Sequence, residues 1–132
     1  MADTISFDLV SPERLLLSAD AEMVTLPGTE GEFGVLPGHA PVIASLKPGV
    51  IDVKGGERGG TRFFVMGGFA EVNPEKVTVL AEEAIPMAEV SAEDLDRRIN
   101  NLQEDVLTAK TETARAKAVE LLDSLQILRA SL

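Results

Sequence analysis

The chain has 132 residues, enough for one domain or for a domain with an appendage. Its formal charge of −10 argues against nucleic acid and anionic lipid as direct partners, and the absence of cysteine excludes disulfides and thiolate metal sites. No run of about twenty apolar residues occurs to span a membrane, and the acidic, strand-like start MADTISFDLV is unlike a signal or transit peptide, so a soluble chain that stays where it is made is expected.

From the start, Ile5, Phe7 and Leu9 alternate with Ser6 and Asp8, the period-2 pattern of a strand with one buried face. Ser11 and Pro12 turn the chain, Leu15 to Leu17 resume it, and Met23, Val24 and Leu26 lead to an unusual segment. Residues 27–41, PGTEGEFGVLPGHAP, hold four of the eleven glycines, three of the seven prolines and the single histidine. Glycine opens backbone angles closed to other residues and proline fixes φ, so this mixture specifies a path. Prolines at this density predict a shaped loop rather than a regular strand, with Glu30 and Glu32 presented on it. Strand signals return at Val42 to Leu46, pass the Pro48-Gly49 turn into Val50, Ile51 and Val53, and reach a glycine-rich hairpin tip at Lys54 to Gly60. Phe63 to Met66, Phe69 to Val72 and Val77 to Leu80 complete the series, separated by Gly67-Gly68 and Asn73-Pro74. Short strands joined by Gly/Pro turns without intervening helices predict an antiparallel β-sandwich or barrel.

Composition then breaks. Every Gly, Pro and Phe lies at or before Pro86, which divides the chain into a β domain, 1–86, and a helical appendage, 87–132. Ser91 to Asp94 has the pattern of a helix N-cap with acids in the first turn. Leu95, Ile99, Leu102, Val106 and Ala109 recur at helical spacing, Lys110 to Thr113 interrupts, and Ala114, Ala118, Leu121, Leu125, Leu128 and Leu132 resume. Two such stripes joined by a polar turn predict an antiparallel helical hairpin. Its alanines bury little area, so the pair is expected to be marginal alone and able to occupy more than one position.

The residues offer little chemistry. Gly28, Gly31 and Gly34 have the wrong spacing for a dinucleotide loop, no Walker motif or GxSxG occurs, and Asp94-x-Asp96 lacks the rest of a calcium loop. Lys54, Arg58 and Arg62 near a glycine-rich tip could touch an anion or simply be solvated. His39 could act as a base or metal ligand, or hydrogen-bond within its loop; no second histidine or cysteine supports a metal. Glu30 and Glu32 could form an acid–base pair or be solvated. No active site is assembled by these residues.

In order and spacing, PGTEGEFGVLPGHAP, Lys47-Pro48-Gly49-Val50, and Gly67-Gly68-Phe69-Ala70-Glu71-Val72 followed by Val77 to Glu82 and Ala84 resemble the epsilon subunits of F-type ATP synthases, across essentially the whole chain. The resemblance implies a non-catalytic rotor part without cofactor or metal: an N-terminal sandwich of about ten antiparallel strands, then a C-terminal helical hairpin. It implies that the sandwich packs on the gamma subunit and rests on the membrane-embedded c-ring, at the cytoplasmic face of a bacterial inner membrane and without inserting. On this sequence the ring contact maps to Glu30, Gly31, Glu32 and Phe33, and the gamma contact to His39, Pro41 and Val42. The hairpin residues Leu121, Leu125, Leu128 and Arg129 would be regulatory, reaching the alpha and beta subunits to restrain ATP hydrolysis. Relatives that bind ATP carry I/L-D-x-x-R-A; here Leu95-Asp96-Arg97-Arg98-Ile99 puts Ile at the arginine position, so nucleotide binding is unsupported. The other functions weighed are a freestanding sandwich that binds a small ligand in an apolar pocket, and a hydrolase using Glu32 and His39.

Overall fold

The computed structural model describes residues 3–130 and 132. Met1 and Ala2 of the opening segment therefore lie outside the described residues. The chain divides into two compact units, Met1–Ala88 and Glu89–Leu132.

The first unit holds ten strands: β1 (Ile5–Val10), β2 (Leu15–Ala21), β3 (Met23–Gly28), β4 (Gly31–Val35), β5 (Val42–Leu46), β6 (Gly49–Lys54), β7 (Arg62–Val65), β8 (Gly68–Val72), β9 (Lys76–Ala81) and β10 (Ala84–Pro86). Alternation produces the buried face as expected: Ile5, Phe7 and Leu9 of β1 are fully buried, while Ser6 and Asp8 are not. Those three join Val24, Leu26, Ile51, Val53, Val65, Val77 and Val79 in one apolar core.

Strand order explains the two layers. One half runs β10-β7-β6-β3, with β4 added on β3; the other runs β5-β8-β9-β1-β2. A single register pair, Gly28 opposite Leu46, joins the halves, flanked by the bonds Lys47 N–H to Pro27 O and Thr29 N–H to Ser45 O, each 3.0 Å. Every pairing is antiparallel except β1 with β9, which runs parallel with Phe7 opposite Val77. That pair joins strands distant in sequence, and hence could not be read from adjacent hairpins.

One expectation needs correction. Residues 27–41 are not wholly loop, because Pro27 and Gly28 end β3 and Gly31–Val35 form β4. The prolines are tolerated because Pro37 and Pro41 fall outside β4 and Pro27 sits one residue from the end of β3.

In the second unit, α1 (Ala92–Thr108) and α2 (Glu112–Ala130) pack against each other, preceded by a 3-10 turn at Met87–Glu89. Ser91 caps α1 by accepting from Asp94 N–H at 3.0 Å, as its sequence predicts. Thr111 does the same for α2, accepting from Ala114 N–H at 3.0 Å.

Candidate partner-docking site

The turn between β3 and β4 consists of Thr29 and Glu30, with Gly28 opposite Gly31. Two-residue hairpins usually need positive φ within the turn. Here no residue other than glycine has one, and Gly31, at φ +136°, takes that conformation immediately after the turn. Glu30, Gly31 and Glu32 are all exposed, so the hairpin holds two carboxylates at its tip and just beyond it. Phe33 pairs with Leu26 and packs against the core, which anchors the tip from below.

The chain then turns again at Leu36-Pro37-Gly38-His39. His39 N–H donates to Leu36 O at 3.1 Å, with Pro37 and Gly38 (φ +87°) at the centre. Proline at the second position and a positive-φ glycine at the third define a type II turn. Gly38 N–H also bonds to Pro74 O at 2.8 Å, tying this turn to the segment between β8 and β9. His39 Nδ1 donates to Ala40 O at 2.7 Å; a carbonyl can only accept, so Nδ1 carries the hydrogen.

The β3–β4 turn and the segment from His39, at the end of the second turn, to Ser45 line one open groove of about 490 Å³. Glu30, Gly31 and Phe33 form part of its wall, and His39, Pro41 and Val42 form another part. The residues expected to face the ring and those expected to face gamma are therefore neighbours along one groove; Glu32 stands outside its lining, exposed on β4.

Beside the groove lies a surface that pattern reading missed. On the outer face of the second sheet half, Ser45, Phe69, Leu80, Val10 and Leu15 follow one another across β5, β8, β9, β1 and β2. Ile43 lies diagonal to Phe69 on the same face, since Ser45 is opposite Phe69 and Glu71 opposite Ile43. Ile43 is 73% exposed, Leu15 55%, Phe69 47% and Leu80 41%. The signal was present in Val42-Ile43 and Val79-Leu80, where an apolar residue takes the outward slot that alternation reserves for a polar one.

On the same outer face, in the row that runs Ile43, Glu71, Thr78 and Asp8 across β5, β8, β9 and β1, Asp8 accepts from Ser18 Oγ at 2.7 Å and pairs with Lys76 Nζ at 3.0 Å. The Ser18 hydroxyl first and the Lys76 ammonium second hold the Asp8 carboxyl below its ordinary range.

In the helical unit, Leu125 and Leu128 are buried, Leu121 is half-buried, and Arg129 Nε donates to Asp96 Oδ1 at 2.9 Å. Val119 and Ile127 are exposed, so α2 is apolar on more than the face holding Leu121 and Leu125.

No group of three or more His, Asp or Glu side chains among the described residues is placed to hold a metal ion. Nor does any described helix have the length and apolarity to cross a membrane. A hydrolase built on Glu32 and His39 finds no support, because the His39 hydrogen bond goes to a backbone carbonyl rather than an orienting carboxylate.

Residues 4–87 match the family model described as ATP synthase, Delta/Epsilon chain, beta-sandwich domain. The chain belongs to the ATP synthase delta/epsilon family. It is 50% identical over 129 residues to an ATP synthase epsilon chain of Parvibaculum lavamentivorans, covering 98% of both chains. An ATP synthase epsilon chain of Mesorhizobium japonicum is 46% identical over 132 residues, covering 100% of this chain and 98% of that one. Among solved structures, the fold is similar to a chain in the Euglena gracilis mitochondrial ATP synthase, OSCP/F1/c-ring assembly, with TM-score 0.78 and 27% identity over 97% of this chain and 81% of that one. A chain of the Tetrahymena thermophila mitochondrial ATP synthase central stalk and c-ring shares the fold, at TM-score 0.72 and 16% identity, covering 96% of this chain and 97% of that one. In this family the epsilon chain is a stalk subunit rather than a catalytic one.

Proposed function

We propose that this epsilon-family chain is a non-catalytic rotor subunit in the central stalk of a proton-translocating F-type ATP synthase, where its sandwich transmits c-ring rotation to the gamma subunit. The observation that carries this reading is the convergence of the β3–β4 turn and the segment beginning at His39 on one groove, next to an exposed apolar sheet face. Torque transmission needs a body that does not deform under load, and both turns are fixed by hydrogen bonds rather than left as free loop. The apolar row of Ile43, Phe69, Leu80 and Leu15, with His39, Pro41 and Val42 at its groove end, suits a stable partner such as gamma, since desolvating apolar area supplies affinity. The Glu30–Phe33 tip suits the polar loops of the ring, where charge complementarity fixes register more than affinity. The hairpin, including Leu121, Leu125, Leu128 and Arg129, is then the regulatory element that reaches the alpha and beta subunits. The subunit is held peripherally at the cytoplasmic face of a bacterial inner membrane through its complex.

Co-purification with gamma from the same organism tests the assignment. Stable complex formation at micromolar concentration is expected, and failure to co-purify counts against it. Within a formed complex, Ile43→Glu combined with Phe69→Glu should weaken gamma binding at least tenfold while leaving the sandwich folded, because both side chains point outward. Unchanged affinity would remove the outer face from the gamma contact.

A further inference from the structure

Four strands end the two sheet halves of the sandwich, and three of them carry features that discourage another strand from pairing there. β10 is three residues long and ends in Pro86. β4 contains Gly31, Glu32 and Gly34, and β2 has Asp20 and an irregular register against β1 between Leu9 and Val10. The fourth, β5, contains no charged residue, proline or glycine, and its free side faces the open groove of about 490 Å³. Hydrogen bonding fixes which backbone groups stand on that side. Ser45 O accepts from Thr29 N–H, away from β8. Alternate residues of a strand direct N–H and C=O to the same edge, so Ile43 also aims both groups away from β8. Because β5 meets β3 only at Gly28 and Leu46, no strand among the described residues pairs with Val42, Ile43 or Ala44 on this side. Val42 and Ile43 are both exposed, an apolar β-branched pair of high strand propensity.

We propose that the free edge of β5 is a strand-addition site, at which an extended segment of the gamma subunit pairs with the backbone of Ile43 and enlarges the sheet half β5-β8-β9-β1-β2 by one strand. In this mode main-chain hydrogen bonds hold the segment and its alternate side chains select it. On one face the added side chains continue the apolar row of Ile43, Phe69 and Leu80; on the other they enter the groove beside Phe33. Glu30 lines the groove, no lysine or arginine among the described residues does, and the whole chain carries a charge of −10. The segment accepted is therefore apolar at alternate positions and neutral or basic, not acidic. Taking gamma as the partner rests on the rotor reading. Pairing through the backbone goes beyond it, since that reading needs only side-chain contact with the outer face.

The affinity of the full chain for purified gamma tests this through Ile43→Ala and Ile43→Pro. Ile43→Ala removes the side chain and keeps the N–H. Ile43→Pro also removes the N–H, which β8 does not use, and proline is tolerated on a strand edge whose N–H faces solvent. Ile43→Ala is expected to weaken gamma binding about 3- to 10-fold, and Ile43→Pro about tenfold beyond that, with unchanged thermal midpoints showing that both variants are folded. Hydrogen exchange of the wild-type chain gives a measure independent of any variant. The Ile43 amide should exchange freely in the chain alone and slow about 100-fold or more in the complex. Equal affinity of folded Ala and Pro variants, or an Ile43 amide still exchanging freely in the complex, overturns strand addition and leaves the rotor reading standing. Failure of the wild type to form any complex overturns both. A dimer of the chain alone that Ile43→Pro dissolves would put a second copy on the edge and overturn gamma as its occupant.

Discussion

The sandwich and the helical hairpin solve the burial problem on different scales. In the sandwich, side chains such as Phe7, Ile5, Leu9, Leu26 and Ile51 are wholly enclosed between two sheet halves, and β1 is paired on both sides. In the hairpin, Leu95, Leu125 and Leu128 are the buried side chains, and Ile127, Val119 and Leu107 remain exposed. The first arrangement gives a cooperative body whose loops are held in place; the second gives helices whose association is open to adjustment. A densely buried sandwich and a sparsely buried hairpin are thereby combined in one chain.

The difference can be tested by removing one large side chain from each unit. Phe7→Ala is expected to cost about 3–5 kcal/mol and to lower the denaturant midpoint of the whole sandwich. Leu125→Ala is expected to cost about 2–5 kcal/mol, expressed as faster hydrogen exchange confined to α1 and α2. If Leu125→Ala moved the sandwich midpoint as far as Phe7→Ala does, the two units would not be energetically separate.

Smaller changes sharpen the same contrast. Gly38→Ala forces a side chain into φ +87° and should destabilise the sandwich by about 1–2 kcal/mol, read as a lower thermal midpoint. Ser91→Ala removes the α1 cap, should cost about 1 kcal/mol, and should appear in helical exchange rather than in the sandwich transition. The smallest effect concerns pH. The Asp8 carboxyl is depressed by Ser18 and Lys76, so its stabilisation is present above the ordinary carboxylate range and is lost as pH falls through that range and below. Asp8→Asn should therefore flatten the acid limb of the stability profile while leaving the shape near neutrality unchanged; an identical acid limb in the two proteins would contradict this.

Much of this division is written in local pattern. Alternation at Ile5, Phe7 and Leu9 named a buried face, and Ser91 with Asp94 named a helix start. The Pro37-Gly38 pair carried its turn type in its residue types. The parallel β1–β9 pairing was not readable, because it depends on strands brought together only after the rest of the sheet forms. Nor was β4, because proline density around it outweighed the short alternating run inside. The outer apolar face escaped for another reason. Phe69 and Leu80 each look like core residues on their own strand, and only the cross-strand register puts them on the outside together.

Proton-driven ATP synthesis by the assembled enzyme tests the rotor role most directly, when Glu32→Lys is compared with Arg129→Gln. Glu32→Lys, at an exposed position on β4, should lower coupled synthesis without shifting the sandwich melting temperature, while Arg129→Gln should leave synthesis near the wild-type rate. Full synthesis with Glu32→Lys, or its loss with Arg129→Gln alone, would contradict a coupling surface on the sandwich.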